Sequence, residues 1–340
     1  MPTLGWGILG TGNIARQFAA GMGTARRGRL AAVSSRDLEH ARAFARQHAI
    51  PAAHGSYEQV LTDPAVSAVY VALPNNLHRP WTLRALEAGK HVLCEKPLAA
   101  SAAEAGEMFD AARRAGRLLA EAFMYRSHPL TLAVLDQVRA GVIGKVKLIR
   151  TSFCYCTAKQ EGNVRFSAAM AGGSLMDVGC YCLNFSRLLA GSEPTRIHAA
   201  GHLHASGVDD YAAGLLVFGS SGAEVLASFT CGMSVHANNT AFICGDQGYI
   251  EVPVPWKPPA VKALYVLARS APPRMDGAPA AAPQRQTFET ESPRSLYALE
   301  ADDFAAAVLD GAAPRVSPQD TLGNMQALDE MRRQIGVRVG

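Results

Sequence analysis

Two residues in this chain are well placed by type and spacing to handle a proton, Lys96 and Tyr181. Lys96 ends the run Gly89-Lys90-His91-Val92-Leu93-Cys94-Glu95-Lys96-Pro97. Residues 91–94 read as a buried strand, and Pro97 stops it because proline fixes the chain direction and has no N–H for a ladder. A charged pair at the carboxyl end of a parallel strand lies where open α/β sheets bind ligands. Lys96 is therefore a candidate catalytic or cofactor-contacting lysine. Tyr181 closes the segment Gly172-Gly173-Ser174-Leu175-Met176-Asp177-Val178-Gly179-Cys180-Tyr181. Asp177 and Tyr181 are spaced i,i+4 and would share one helix face. A structural account of the same residues stands beside this one. Ser174 could cap the helix with Asp177 as its partner in the first turn, and Tyr181 could be a core aromatic.

A second set of residues has the pattern of a dinucleotide site. Gly10-Thr11-Gly12-Asn13-Ile14-Ala15 joins the first expected strand to the first expected helix. The first glycine permits a tight turn, the second lets a pyrophosphate approach the backbone, and the helix start offers free N–H donors. The second strand ends in Ser34-Ser35-Arg36-Asp37. Ser35 and Arg36 suit the 2′-phosphate of NADP(H), so NADP(H) is the preferred cofactor and NAD(H) the alternative. Asp37 reads equally as the cap of the next helix. Leu73, Pro74, Asn75 and His78 follow the third apolar run, where amide side chains can bond a ribose or a nicotinamide amide or simply form a turn.

The elements needed to position these groups are legible. Up to residue 122, short apolar runs at 6–10, 30–34, 66–73, 91–94 and 118–122 alternate with helical patterns at 14–21, 38–48, 80–88 and 101–115. That alternation predicts an α/β domain with a parallel sheet covered on both faces. Beyond 123 the pattern changes. A helix is expected at 130–140, a strand at 146–156, and a helix after Gly173. Strands follow at 196–204, 211–218, 223–230, 240–244 and 249–252, separated by glycine turns as in an antiparallel meander. Residues 254–283 are rich in proline and alanine and read as loop, and helices at 295–309 and 318–335 close the chain. The expected organisation is a dinucleotide-binding domain at 1–122 and an α+β domain at 123–340, built on a large, open, mostly antiparallel sheet. One face of that sheet would pack on helices and the other could meet a second copy of the chain.

Composition narrows the classes. The chain has 340 residues, 49% hydrophobic and 18% charged, which fits a two-domain globular protein. No run approaches the roughly 20 apolar residues of a membrane span, and no basic stripe with interleaved aromatics accompanies the net charge of +4, so neither membrane nor nucleic acid is an expected partner. The seven cysteines lack zinc-site spacing and read as reduced thiols of a cytoplasmic protein without a secretory leader. His202 and His204 read as surface histidines.

Taken together, the Gly10-x-Gly12 turn, Pro74-Asn75-x-x-His78, the run from Gly89 to Pro97 and Asp177-x-x-x-Tyr181 resemble the glucose–fructose oxidoreductase / inositol dehydrogenase / rhizopine-catabolism (Gfo/Idh/MocA) family over nearly the whole length. Tyr181, where many members carry histidine, is similar to the branch of dimeric dihydrodiol dehydrogenase, NADP-dependent D-xylose dehydrogenase and glucose–fructose oxidoreductase. Sugar 3-ketoreductases acting on nucleotide-linked sugars share it. The resemblance implies a Rossmann domain, a homodimer through the C-terminal sheet, and hydride transfer between NADP(H) and a sugar-like hydroxyl or carbonyl carbon. It further implies Tyr181 as proton donor or acceptor with its pKa lowered by Lys96, Asp177 orienting the sugar, Glu95 at the cofactor ribose and Arg165 at the nicotinamide end. Residues 121–129 and Arg165-Phe166 would line the cleft. A non-catalytic NADP(H) sensor and a lyase or glycosidase that recycles its cofactor are the competing classes.

Overall fold

The computed structural model describes residues 2–220, 222–269 and 282–339. The chain begins with β1 Leu4–Leu9, α1 Asn13–Gly21, β2 Gly28–Ser34, α2 Leu38–Gln47, β3 Ala52–His54, α3 Tyr57–Thr62, β4 Ala68–Val71, α4 His78–Glu87, β5 His91–Glu95, α5 Ala102–Ala115 and β6 Leu119–Ala122. These strands form one parallel sheet in the order β3-β2-β1-β4-β5-β6. β1 and β4 are buried at every position, as strands covered on both faces must be. The strand order reverses beside β1, and that switch point opens a crevice at the carboxyl ends of the strands. The expected Rossmann domain is present. β3 and α3 are additions to the sequence-based reading, because a three-residue Ala-Ala-His strand carries no periodicity.

The chain continues with α6 Pro129–Arg139, β7 Val146–Cys154, α7 Cys180–Ala190, β8 Pro194–Leu203, β9 Asp209–Phe218, β10 Val225–Gly232, β11 Ala241–Gly245, β12 Gly248–Val252, β13 Ala263–Arg269, β14 Gln284–Thr290, α8 Leu296–Asp310 and α9 Pro318–Ile335. Its eight strands run in the order β14-β13-β12-β11-β7-β10-β9-β8. All neighbours are antiparallel except β7 and β10, which pair in parallel. The expected meander is therefore split, with β7 inserted between β10 and β11. The loop reading of 254–283 is corrected at 263–269, where Ala263, Tyr265 and Leu267 alternate inward as strand β13. Residues 270–281 of that stretch lie outside the described residues.

Helix α8 packs against the first domain. Phe304 meets Trp6 of β1 at 5.2 Å between ring centroids, and Asp302 accepts from the backbone N–H groups of Arg26 and Arg27. Ser295 donates to the carbonyl of Gly21, and Tyr297 donates to Gln17 on α1. Of the seven cysteines, all free, five are buried, Cys244 is half-buried and Cys156 is exposed.

Candidate active site

A cavity of 660 Å³ runs from the start of α1 to the segment around Tyr181. Gly10 makes the tight turn that leads to its near wall. Its φ of +101° is one that side chains rarely adopt, and a Cβ there would lie 2.8 Å from the carbonyl oxygen of Ala72. Thr11 leads to Gly12, which caps α1 without a side-chain bond, leaving the first-turn N–H groups of Asn13, Ile14 and Ala15 free of a capping partner. A Cβ on Gly12 would meet nothing within 4 Å, so the cavity reaches the backbone itself. Open space, free N–H donors and a helix dipole at one point fit the pyrophosphate of a dinucleotide.

Leu73, Pro74 and Asn75 line the same wall. The Asn75 amide donates to the carbonyl of Ala171 at 2.9 Å and so ties the two domains together. Ser35 and Arg36 follow β2 outside the cavity wall, with Arg36 exposed. Asp37 caps α2, accepting from Glu39 and His40 N–H groups, which is its structural reading.

His78 departs from the expectation of a cofactor contact. Its ring is fully buried, with Nδ1 2.9 Å from the carbonyl of Pro97 and Nε2 2.8 Å from that of Leu73. It joins the loop after β4 to the loop after β5, and no ring nitrogen is left to face the cavity.

β5 delivers Glu95 and Lys96. Glu95 is buried, takes a short hydrogen bond from the Tyr70 hydroxyl, and accepts from the Lys96 N–H at 3.2 Å. Burial raises its carboxyl, against the pull of the Lys96 charge. The Lys96 ammonium donates to the Asp177 backbone carbonyl at 2.7 Å and lies 3.5 Å from its carboxylate. Burial disfavours that ammonium, yet Asp177, Cys180 and Glu95 outweigh it and hold the lysine above its ordinary pKa.

Asp177 and Tyr181 come from a local distortion. Gly173, at φ +119°, places its backbone where a Cβ would strike Asp209, and Leu175–Gly179 then forms a π-turn before α7. Ser174 is no N-cap: its hydroxyl donates to Asp209 at 2.6 Å, as does the N–H of Leu175 at 2.7 Å, because that buried carboxyl needs donors. The Asp177 carboxylate accepts from the Tyr155 hydroxyl at 2.6 Å and from Arg165 Nε at 3.0 Å. Burial works against its charge, but Lys96 and Arg165 keep it below the usual carboxylate range.

Tyr181 is 3% exposed, with its ring edge against Phe123 and Phe153. Its hydroxyl meets the sulfur of Met124 at 3.4 Å. Lys96 Nζ lies 5.1 Å over the ring rather than at the hydroxyl. The expected lowering of the phenol pKa is therefore reversed here: burial, with Glu95 and Cys180 adding to it, pushes the phenol well above its ordinary value.

The sequence points to the segments 153–165 and 256–259 as specificity loops without singling out Tyr155 or Lys257, which both line the cavity. Tyr155 follows a strand with nothing to mark it, since its partner Asp177 is 22 positions away. Lys257 sits in the proline-rich stretch read as loop. Of residues 121–129, Met124 alone lines the cavity. Tyr125 and Arg126 instead meet Asn184 in the interior, so this segment is mostly core.

Residues 4–123 match the oxidoreductase family with the NAD-binding Rossmann fold, and residues 131–251 match the GFO/IDH/MocA C-terminal domain. The chain belongs to the Gfo/Idh/MocA family of oxidoreductases. It is 36% identical over 326 residues to the D-xylose 1-dehydrogenase (NADP(+)) 2 of Haloferax volcanii, covering 95% of both chains. Over 258 residues it is 36% identical to the trans-1,2-dihydrobenzene-1,2-diol dehydrogenase of Mus musculus, covering 75% of this chain and 76% of that one. Its fold is similar, at a TM-score of 0.84 and 29% identity over 98% of both chains, to a 3-ketoreductase from Actinomadura kijaniata in complex with NADP and TDP-benzene. As a Gfo/Idh/MocA member the protein is an NAD(P)-dependent oxidoreductase.

Proposed function

We propose that the protein catalyses reversible oxidoreduction at a hydroxyl or carbonyl carbon of a sugar, or of a related polyol or dihydrodiol, with NADP(H) preferred over NAD(H). The observation that carries this reading is the Lys96 ammonium, held between the backbone carbonyl and carboxylate of Asp177 and the Tyr181 ring on the wall of a cavity that begins at Gly12. Residues 1–122 bind the dinucleotide and 123–340 supply the substrate side. Gly10, Thr11, Gly12, Asn13 and Ile14 hold the pyrophosphate, and Glu95 and Asn75 lie where ribose and nicotinamide would pass. When bound, the nicotinamide supplies or accepts the hydride.

Tyr181 Oη carries the proton. Its raised pKa keeps the phenol protonated at neutral pH, ready to give its proton to a carbonyl oxygen in the reducing direction. Lys96 Nζ, within reach of the same oxygen, stabilises charge that develops on it. Asp177 holds Lys96, Tyr155 and Arg165, and a carboxylate with about four lone-pair sites has room for one more donor, a sugar hydroxyl. The aromatic rings of Phe123, Phe153 and Trp256 exclude water around the phenol.

The test is an absorbance assay at the nicotinamide band with aldoses, polyols, dihydrodiols and keto-sugars, each with NADP(H) and NAD(H). Net absorbance change with one of these classes supports the reading. Tight dinucleotide binding with no turnover of any of them would make the protein a sensor instead. The likeness to a 3-ketoreductase crystallised with a TDP ligand favours a nucleotide-linked keto-sugar as the second substrate class, so one belongs in the panel.

NADP(H) preference rests on Arg36, exposed beyond the end of β2. Arg36→Ala is expected to raise the KM for NADP(H) by roughly 10–100-fold, since a charge-assisted hydrogen bond contributes about 1.5–3 kcal/mol, and to leave the KM for NAD(H) nearly unchanged. Equal changes for both nicotinamides would remove Arg36 from the cofactor site.

A second copy of the chain is the proposed cover for the outer face of the eight-stranded sheet. Tyr211, Leu215 and Leu226 on β9 and β10 share that face and are 45%, 42% and 41% exposed. Light scattering on the purified protein distinguishes dimer from monomer. The unpaired cysteines fit a reducing, cytoplasmic setting.

A further inference from the structure

Lys257 reaches the cofactor end of the cavity from the opposite domain. It follows β12 in a loop whose geometry is fixed on the preceding side. Trp256 is buried, donates from Nε1 to the carbonyl of Ser152 at 2.8 Å, and stacks on Phe153 with 5.6 Å between centroids. Pro258 follows and is also buried. The lysine side chain is thereby aimed at α1, where Nζ lies 3.4 Å from Gln17 Oε1. That amide oxygen also accepts from Tyr297, so it is a shared and neutral partner for a full positive charge. Among the described residues no carboxylate lies within ion-pair distance of Lys257, whereas Lys96 and Arg165 both pair with Asp177.

Gln17 and Asn13 are one turn apart on the same face of α1, and both line the cavity. One helical turn is about 5.4 Å, a displacement that a four-carbon lysine stem spans by rotamer change. Moving from Gln17 to the start of α1 brings the ammonium beside the free N–H groups described above.

We infer that Lys257 is a phosphate-binding residue donated by the C-terminal domain, its ammonium pairing with the pyrophosphate of the bound dinucleotide at the start of α1. The inference rests on the proposed NADP(H) reading and adds a component to it. The N–H groups hold the anion from one domain and Lys257 holds it from the other, so bound cofactor draws the domains together. Burial and the nearby Lys96 charge lower the proton affinity of Lys257, and a phosphate anion would reverse that.

The experiment is equilibrium binding to the full-length protein, followed by quenching of tryptophan fluorescence. The ligands are NADPH, 2′-phospho-ADP-ribose, which keeps the pyrophosphate, and adenosine 2′-monophosphate, which lacks it. Lys257→Met is expected to weaken the first two roughly tenfold, the scale of one charge-assisted hydrogen bond, and to leave the third unchanged. Lys257→Arg is expected to restore most of the loss. Equal affinity of wild type and Lys257→Met for NADPH overturns the inference, as does an equal loss for all three ligands. Failure of the wild type itself to bind NADPH sinks the cofactor reading on which the inference stands.

Discussion

Tyr181→Phe is expected to lower kcat by about 10²–10⁴-fold, the usual contribution of one positioned acid or base, while NADPH binding stays near the wild-type value. The variant tests chemistry rather than folding. The deleted hydroxyl meets a methionine sulfur, a weak acceptor, and the ring keeps its packing against Phe123 and Phe153. Lys96→Met is expected to lower kcat on a similar scale and also to destabilise the fold. It leaves the half-buried Asp177 carboxylate without its lysine but still held by Arg165 and Tyr155, so the cost should fall below the roughly 3–5 kcal/mol of breaking a fully buried pair. Stopped-flow turnover, fluorescence binding and thermal unfolding measured together separate these effects. Near-normal turnover in both variants would move the proton chemistry elsewhere. In the reducing direction the rate should stay flat through neutral pH, because the phenol titrates well above its ordinary value. In the oxidising direction it should rise with pH.

Fold stability is expected to fall as pH rises from the mildly acidic range into the alkaline one, opposite to the common behaviour of carboxylates paired in the folded state. Two buried acids are responsible. Glu121 accepts from the Leu98 N–H at 3.0 Å through one oxygen and, among the described residues, has no partner for the other, and Glu300 has none for either. Both line a cavity of about 30 Å³, the size of one water molecule. Burial raises Glu121 from 4.5 to about 8 and Glu300 well above its ordinary value. The folded chain therefore holds these protons at pH values where the unfolded chain has released them. Glu121's contribution is complete below the ordinary carboxyl range and is lost as pH rises through about 8, and Glu300 adds a loss in the same direction. Each tenfold difference in proton affinity between the folded and unfolded chain corresponds to about 1.4 kcal/mol, so the loss is on the order of a few kcal/mol. Glu300→Gln should flatten the profile and raise Tm in alkaline buffer. An unchanged pH profile in Glu300→Gln and Glu121→Gln would place the titration in other groups.

The readability of these features from sequence follows the range of the interactions behind them. Gly10, Gly12 and Lys96 were legible because a strand, a turn and a helix start are local and each leaves its mark within a few residues. β1 to β6 followed from the alternation of short apolar runs, apart from the short β3. Where the expectation failed, the cause lay at a distance. Ser174 looks like a cap until Asp209, 35 positions later, claims its hydroxyl. The parallel pairing of β7 with β10 depends on which strands meet across more than 70 residues, and no local pattern encodes that. β13 was hidden because its alternation of Ala263, Tyr265 and Leu267 is short and lies beside proline-rich chain. Lys96 and Tyr181 were found as residues, but their relation was not. The burial that raises the phenol comes from Phe123, Phe153 and their neighbours, whose meeting with Tyr181 no local pattern encodes.

The packing of α8 on the first domain has a consequence for how the protein is made. Trp6 and the first turns of α1 leave the ribosome before the helix carrying Phe304 and Tyr297 that covers them, with the whole second sheet between. The nascent dinucleotide domain must wait with an apolar flank open to solvent through the synthesis of the entire second sheet. A fragment ending at residue 122 would therefore lack part of its own core.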